Sequence, residues 1–269
     1  MNFKSATKTI AATIFAVGLL MLLLFRCSTV TPVSRDYYEV RIYHISDSGQ
    51  EATSDNFFRD VFIPALHRAG IGKVGIFKPV EADTLAFGKL IYIFIPFTSF
   101  DQYISLNDLL SADITYNADG KFFLDASFDN PPYDRYESIL LKAFRNMPHF
   151  AFPQYDTPKS ERIYELRSYE SATEFRAIKK IEMFNDAGEI KLFEDLGFNP
   201  VFFGEVIAGS HKPNLMYMTS FSDMTSHDEH WKAFSSSDGW KTMSALDEYK
   251  NTVSRANISL LHPTLYSDF

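Results

Sequence analysis

The chain has 269 residues, 46% of them hydrophobic and 22% charged, a globular balance that excludes disorder over the whole length. Its formal charge is −8, and Lys4, Lys8 and Arg26 are the only charges before position 27, so the remainder stands at −11. With no cluster of Lys and Arg, nucleic acid is excluded as the main partner.

Lys4 and Lys8 precede an uncharged run of 17 residues, TIAATIFAVGLLMLLLF at 9–25, followed by Arg26 and Cys27. A basic start before an apolar run predicts a signal peptide or membrane anchor over 1–27. The run is at the short limit for spanning a bilayer. Cys27 is the candidate for lipidation, although Arg26 is not the small residue that a lipobox places before its Cys. A cleaved signal, a lipoprotein and an uncleaved anchor remain open, and each puts the bulk of the chain outside the cytoplasm. Cys27 is the single cysteine, so no intrachain disulfide and no cysteine metal site can form.

Residues 28–36 read as a tether. YYEVRIYHI from 37 alternates as a strand. SDNFFRDVFIPALHRA at 54–69 carries a helical apolar face, with Ser54 as its cap, Gly70 as its stop and Pro64 as an expected kink. IGKVGIFKPV and KLIYIFIPF predict two strands, a helix begins near Ser99, and YESILLKAF predicts a last strand. The proline-containing stretch 148–161 predicts a linker. The order then repeats: a strand at 162–170, one long helix at 173–196 marked by Phe175, Ile178, Ile181, Ile190, Phe193 and Leu196, strands at 199–209 and 214–221, a helix at 224–250 and a strand at 257–263.

The repeat extends to letters. Tyr38-Glu39-Val40-Arg41 returns as Tyr164-Glu165-Leu166-Arg167, Leu90-Ile91-Tyr92 as Leu215-Met216-Tyr217, Asp119-Gly120 as Asp238-Gly239, and Leu140-Leu141 as Leu260-Leu261. Two tandem ferredoxin-like βαββαβ units follow, 37–147 and 162–269, in an α+β class. Each has one sheet face bare of helices. Packed bare face to bare face, the sheets close as an intrachain pseudo-dimeric α/β barrel. Alternation directs Tyr38, Val40 and Ile42 toward the helices and Glu39, Arg41 and Tyr43 into the barrel, with Glu165, Arg167 and Tyr169 likewise inward.

Those six residues are the candidate ligand-binding set. Guanidinium, carboxylate and phenol in one cavity suit a small polar or anionic ligand, and an ion-pair network that only holds the strands in register would need the same residues. Tyr92, Tyr217 and Glu205 are candidates to extend the lining. His227 and His230 lie three apart on a helix, but no third ligand accompanies them, so packing and surface roles are expected and no metal site. Trp231 and Trp240 are expected as core anchors, with a stacking wall as the alternative. No catalytic triad, phosphate loop or cofactor motif is present, and no cofactor is expected.

These motifs resemble the NIPSNAP family, of the dimeric α/β-barrel superfamily. Its first-strand Tyr-Glu-Leu-Arg-x-Tyr is similar to Tyr164–Tyr169 and to Tyr38–Tyr43. Its Trp-x-x-Phe and following Asp-x-x-Trp are similar to Trp231–Phe234 and Asp238-Gly239-Trp240, one residue shorter, and its Leu-x-Pro-Thr to Leu261–Thr264. The first copy has Lys121-Phe122 after Asp119-Gly120, without a Trp. The resemblance implies the barrel and a binding module with a small-molecule ligand or a protein partner, open to further oligomerisation. Its alternative is a cofactor-independent barrel enzyme, a monooxygenase or isomerase.

Overall fold

The protein is described by a computed structural model over residues 33–269, and the expected signal, anchor and lipidation features at 1–27 lie outside those residues. Residues 34–269 form one compact unit. The first repeat runs β1 (Tyr37–His44), α1 (Ser48–Phe57), a π-helical turn (Phe58–Phe62), α2 (Ile63–Arg68), β2 (Gly75–Pro79), β3 (Leu90–Phe97), α3 (Phe100–Ala112), α4 (Ile114–Asp119), α5 (Lys121–Leu124) and β4 (Arg135–Ala143). The second runs β5 (Ile163–Glu170), α6 (Glu174–Asn185), α7 (Glu189–Asp195), β6 (Asn199–Ala208), β7 (Asn214–Phe221), α8 (Met224–Ser236), α9 (Asp238–Ala245), a short 3-10 turn (Asp247–Tyr249) and β8 (Arg255–Pro263).

The eight strands close in the order β1-β3-β2-β8-β5-β7-β6-β4, all neighbours antiparallel. Each repeat supplies four adjacent strands, and the repeats meet at the β2–β8 and β4–β6 seams. The expected closure of one chain around a common barrel is what is observed.

The facing is the reverse of the expectation. Tyr38, Val40, Phe77, Phe94, Leu141, Tyr164, Leu166, Phe202, Met216 and Met218 form one buried cluster inside the barrel. Tyr38 packs across it on Phe202 at 5.1 Å, and Phe77 on Tyr164 at 4.8 Å. Tyr43 instead belongs to the cluster beneath α1 and α2, and Tyr217 to the one beneath α6 to α8. So Glu39, Arg41, Tyr43, Glu165, Arg167 and Tyr169 face the helices, not the lumen. The lumen of an eight-stranded barrel is just wide enough for side chains to fill and leaves no water for ions. A guanidinium under the helices can still reach toward solvent: the Arg41 and Arg167 side chains are 13% and 15% exposed.

The Tyr38 hydroxyl is buried in the lumen without a hydrogen-bond partner, and burial, with Asp36 adding to it, drives its pKa up. An unpaired buried hydroxyl is a net cost, so Tyr38→Phe should leave urea-unfolding stability unchanged or raise it by about 1 kcal/mol. A loss beyond 1 kcal/mol would show that the hydroxyl is engaged.

Three helices differ from expectation, one of them the helix expected over 224–250, which breaks at the extended Ser237 into α8 and α9 and closes in the 3-10 turn at Asp247–Tyr249. The helix expected from 54 begins at Ser48 with Asp47 as its cap rather than at Ser54, and the irregularity falls in the π-helical turn just before Pro64, which sits in the first turn of α2. The long second-repeat helix breaks at Gly188, φ +92, a left-handed conformation that a Cβ disfavours. The face of α6 is also rotated: Phe175 and Ile178 are exposed, while Ala177, Lys180, Met183 and Phe184 are buried. The linker 148–161 is irregular but engaged, with the Ala151 N–H donating to the Val201 carbonyl and Phe152 packing on Phe269.

Candidate functional site

Strand β5 sends Glu165, Arg167 and Tyr169 outward beneath α6, α7 and α8. Arg167 Nε donates to Glu165 Oε1 at 2.8 Å, Nη1 donates to the Tyr169 hydroxyl at 2.9 Å, and that hydroxyl meets the Tyr217 hydroxyl at 3.0 Å. The Trp231 indole lies 3.5 Å from the Arg167 guanidinium carbon, a cation–π contact, and its Nε1 donates to the other oxygen of Glu165. Burial works against the Arg167 charge, but Tyr217, Tyr169 and Glu165 outweigh it and hold its pKa up. Burial drives the Tyr217 pKa well above the phenol range.

A second buried ion pair lies beside the first. Lys180 of α6 donates to Glu189 at 2.7 Å, and the two side chains are 4% and 3% exposed. The turn at Gly188 folds the start of α7 back onto α6 and so makes this pair. Phe184, Trp240 and Tyr169 ring the ammonium at 4.6, 5.5 and 5.8 Å. Burial raises the Glu189 pKa, with Lys180 opposing.

Arg167 of the first pair and both members of the second line one cavity of about 650 Å³, walled by Tyr217, Trp231, Phe234, Trp240 and Tyr249 and bordered by Ala256 on β8. That volume is within the range of small-molecule sites. Of the expected residues, Arg167, Tyr169 and Tyr217 line it and Glu165 stands behind Arg167. Tyr92 lies in the lumen cluster and Glu205 is exposed, so neither joins. Trp231 and Trp240 pack on the cluster beneath α6 to α8, as expected of core anchors, and each also borders the cavity.

Glu39, Arg41 and Tyr43 occupy the equivalent place in the first repeat but line packed rings. Arg41 holds Glu39 through two bonds of 2.9 Å, and Ser138 donates to the same carboxylate at 2.6 Å. Tyr136 stacks on Tyr43 at 5.0 Å and 16°. The strand registers set Tyr136 opposite Tyr43 and Ala256 opposite Tyr169, so the second repeat has a methyl where the first has a ring. Counting from the helix caps Asp47 and Thr173, Lys180 matches Ser54, Met183 matches Phe57 and Glu189 matches Ile63. Counting from Ser99 and Asp223, Trp231 matches the exposed Asn107. Counting from Asp113 and Ser237, Trp240 matches Tyr116. The letter match of Asp119-Gly120 with Asp238-Gly239 is thus not a structural one, since the first pair ends a helix and the second begins one. Registers also match Tyr217 with Ile93 rather than with Tyr92, because each faces the repeated Arg.

Sequence reasoning missed Lys180, Glu189 and Ala256. The signal for Lys180 was a charge three residues from both Ala177 and Met183, inside a buried helical face. His227 packs edge-on to Phe221 at 5.0 Å, as expected, and its Nε2 lies 3.4 Å from Glu165. No group of three or more metal-ligating side chains exists among the described residues.

Burial lowers the His227 pKa, but Glu165 and Asp228 outweigh that and leave it raised. A raised folded pKa adds stability below the unfolded value near 6.5, and that stability is lost as pH rises through the folded value. The stability of the native chain relative to His227→Gln should therefore be greater at about pH 5.5 than at about pH 8.5. Equal differences at both would remove the coupling to Glu165.

Residues 164–268 match the family model described as NIPSNAP. No curated protein matches. Among solved structures, a monooxygenase-like protein from Lactobacillus acidophilus is similar at TM-score 0.55 and 12% identity, covering 85% of this chain and 94% of its own. Another from Fusobacterium nucleatum gives TM-score 0.51 and 10% identity, covering 86% of this chain and 93% of its own. An anthrone oxidase-like protein gives 0.51 and 7%, covering 87% and 93%. At these identities the likeness is one of fold.

Proposed function

We propose that the chain is a small-molecule-binding module whose site is the second-repeat cavity, carried outside the cytoplasm and tethered to the membrane by its N-terminal segment. One observation carries the binding reading: the second repeat keeps an open cavity of about 650 Å³, whereas at matching places in the first Phe57 and Ile63 are buried and Tyr136, itself exposed on one face, stacks on Tyr43. The matched family domain at 164–268 contains this site. The barrel lumen, by contrast, is lined by the mutually packed rings and aliphatic side chains of one buried cluster.

Native mass spectrometry of the purified full-length chain tests the reading, with a bound small molecule as the expected result. No retained mass, together with no change in tryptophan emission across a panel of aromatic and aliphatic ligands, would overturn it. Protease accessibility on intact cells tests the export, and full protection would refute it.

An isomerase-type barrel enzyme is supported by one feature, the Glu189 carboxyl. It borders the cavity beside an amine and a phenol, and its raised pKa suits a group that gives and takes a proton. Turnover that is lost in Glu189→Gln while ligand still binds would favour this reading over binding alone.

A further inference from the structure

We infer that the second-repeat cavity takes a flat aromatic monoanion, its carboxylate on Lys180 and its ring against the Trp231 and Trp240 indoles. This rests on the cavity being a binding site and assigns the chemistry of its occupant.

Charge is the first ground. Arg167, Lys180 and Lys250 border the cavity with Glu189 as the one carboxylate in its lining, while Glu165 and Asp247 pair with Arg167 and Lys250 from outside it. The larger groove of about 940 Å³ at the β2–β8 seam has the opposite sign, with Asp55, Glu81, Glu161 and Asp223 against Lys78. A small anion is therefore directed to the second-repeat cavity and away from that groove.

The walls are the second ground. Tyr169, Tyr217, Trp231, Phe234, Trp240 and Tyr249 supply ring faces and edges on several sides. Such a lining suits a planar ring better than a flexible chain, because offset and edge contacts add to burial.

Lys180 is the anchor rather than Arg167. Arg167 is committed to Glu165 and Tyr169, and Trp231 covers it. Lys180 has only Glu189 as an ionic partner, and its other polar contact is the Met183 sulfur at 3.4 Å. Glu189 is the one carboxylate in the cavity lining, and its side chain is the sole ionic partner that an incoming carboxylate would have to replace on the ammonium. The first repeat has Ser54 and Ile63 at these two places and so carries no equivalent anchor.

The test is a calorimetric titration of the full-length chain with cinnamate, cinnamamide and cinnamylamine, read in parallel by tryptophan emission. Trp231 and Trp240 are the chain's two tryptophans and both border the cavity, so emission reports on this site. Cinnamate should bind at least about tenfold more tightly than the amide, and the amine more weakly than either. Removing Lys180 alone would strand a buried carboxylate, so the paired variant K180M/E189M is used, and it should bring acid and amide to within about threefold of each other. Glu189→Gln frees the ammonium and should tighten cinnamate several-fold. Equal binding of acid and amide, or a preference that survives K180M/E189M, would overturn the assignment while leaving the cavity a binding site. Silence from all three ligands would also overturn the assignment, and the binding site itself would fall only if native mass spectrometry likewise found no retained molecule.

Discussion

Arg167→Met lowers the unfolding free energy by about 3–5 kcal/mol, the cost of leaving a buried ion without its partner. The Glu165 side chain is 2% exposed, and after this change only the Trp231 indole N–H and the nearby His227 ring would face its charge. The same change removes the ring-to-guanidinium stacking and the donor to the Tyr169 hydroxyl. Urea unfolding followed by far-UV circular dichroism measures the loss. The double variant Glu165→Gln/Arg167→Met should recover much of it, since no uncompensated charge remains. Arg41→Met should cost less, because Ser138 still donates to Glu39. A loss under 1 kcal/mol for Arg167→Met would mean that water reaches Glu165 and that the buried network is not what fixes β5 beneath its helices.

The barrel was legible because a duplicated Glu-x-Arg-x-Tyr strand implies a duplicated sheet, and a lone βαββαβ sheet has a face to cover. Which face the charges took was not legible. Alternation reports two sides of a strand, and here both sides are buried, so Val40 and Arg41 are each hidden from most solvent by different neighbours. Hydrophobicity alone then assigns the apolar set to whichever layer is imagined as drier. The decisive fact is steric: Tyr38, Phe94 and Phe202 meet at about 5 Å across the lumen, leaving no volume for a guanidinium. Arg167 and Tyr169 line the cavity beneath the helices, on the side of the sheet opposite to the one that the alternation was read to give them. Lys180 and Glu189 escaped because their pairing depends on the break at Gly188, where the periodicity suggested one continuous helix. Ala256 could not be found by motif, since its contribution is a missing ring, visible only when Tyr136 is seen stacked at the matching place.

That comparison leads to the prediction with the largest functional effect. Ala256→Tyr should weaken binding of any cavity ligand by at least about tenfold, a change of roughly 1.4 kcal/mol or more. Ala256 is exposed at the cavity border and pairs with Tyr169, so a phenol there can lie over Tyr169 as Tyr136 lies over Tyr43. The new ring fills open space instead of a packed core, so the unfolding free energy should stay within about 1 kcal/mol of the native chain. Titration of the variant with the ligand identified by mass spectrometry, alongside its urea curve, separates closure of the site from damage to the fold. The reciprocal change, Tyr136→Ala, makes space in the first repeat, but that space is bordered by Tyr43, Tyr133 and Arg41 and has Ser54 where Lys180 would stand. It should acquire no affinity for an anion. If it did, the cation carried by α6 would not be what distinguishes the two halves, and the Arg on each first strand would have to suffice.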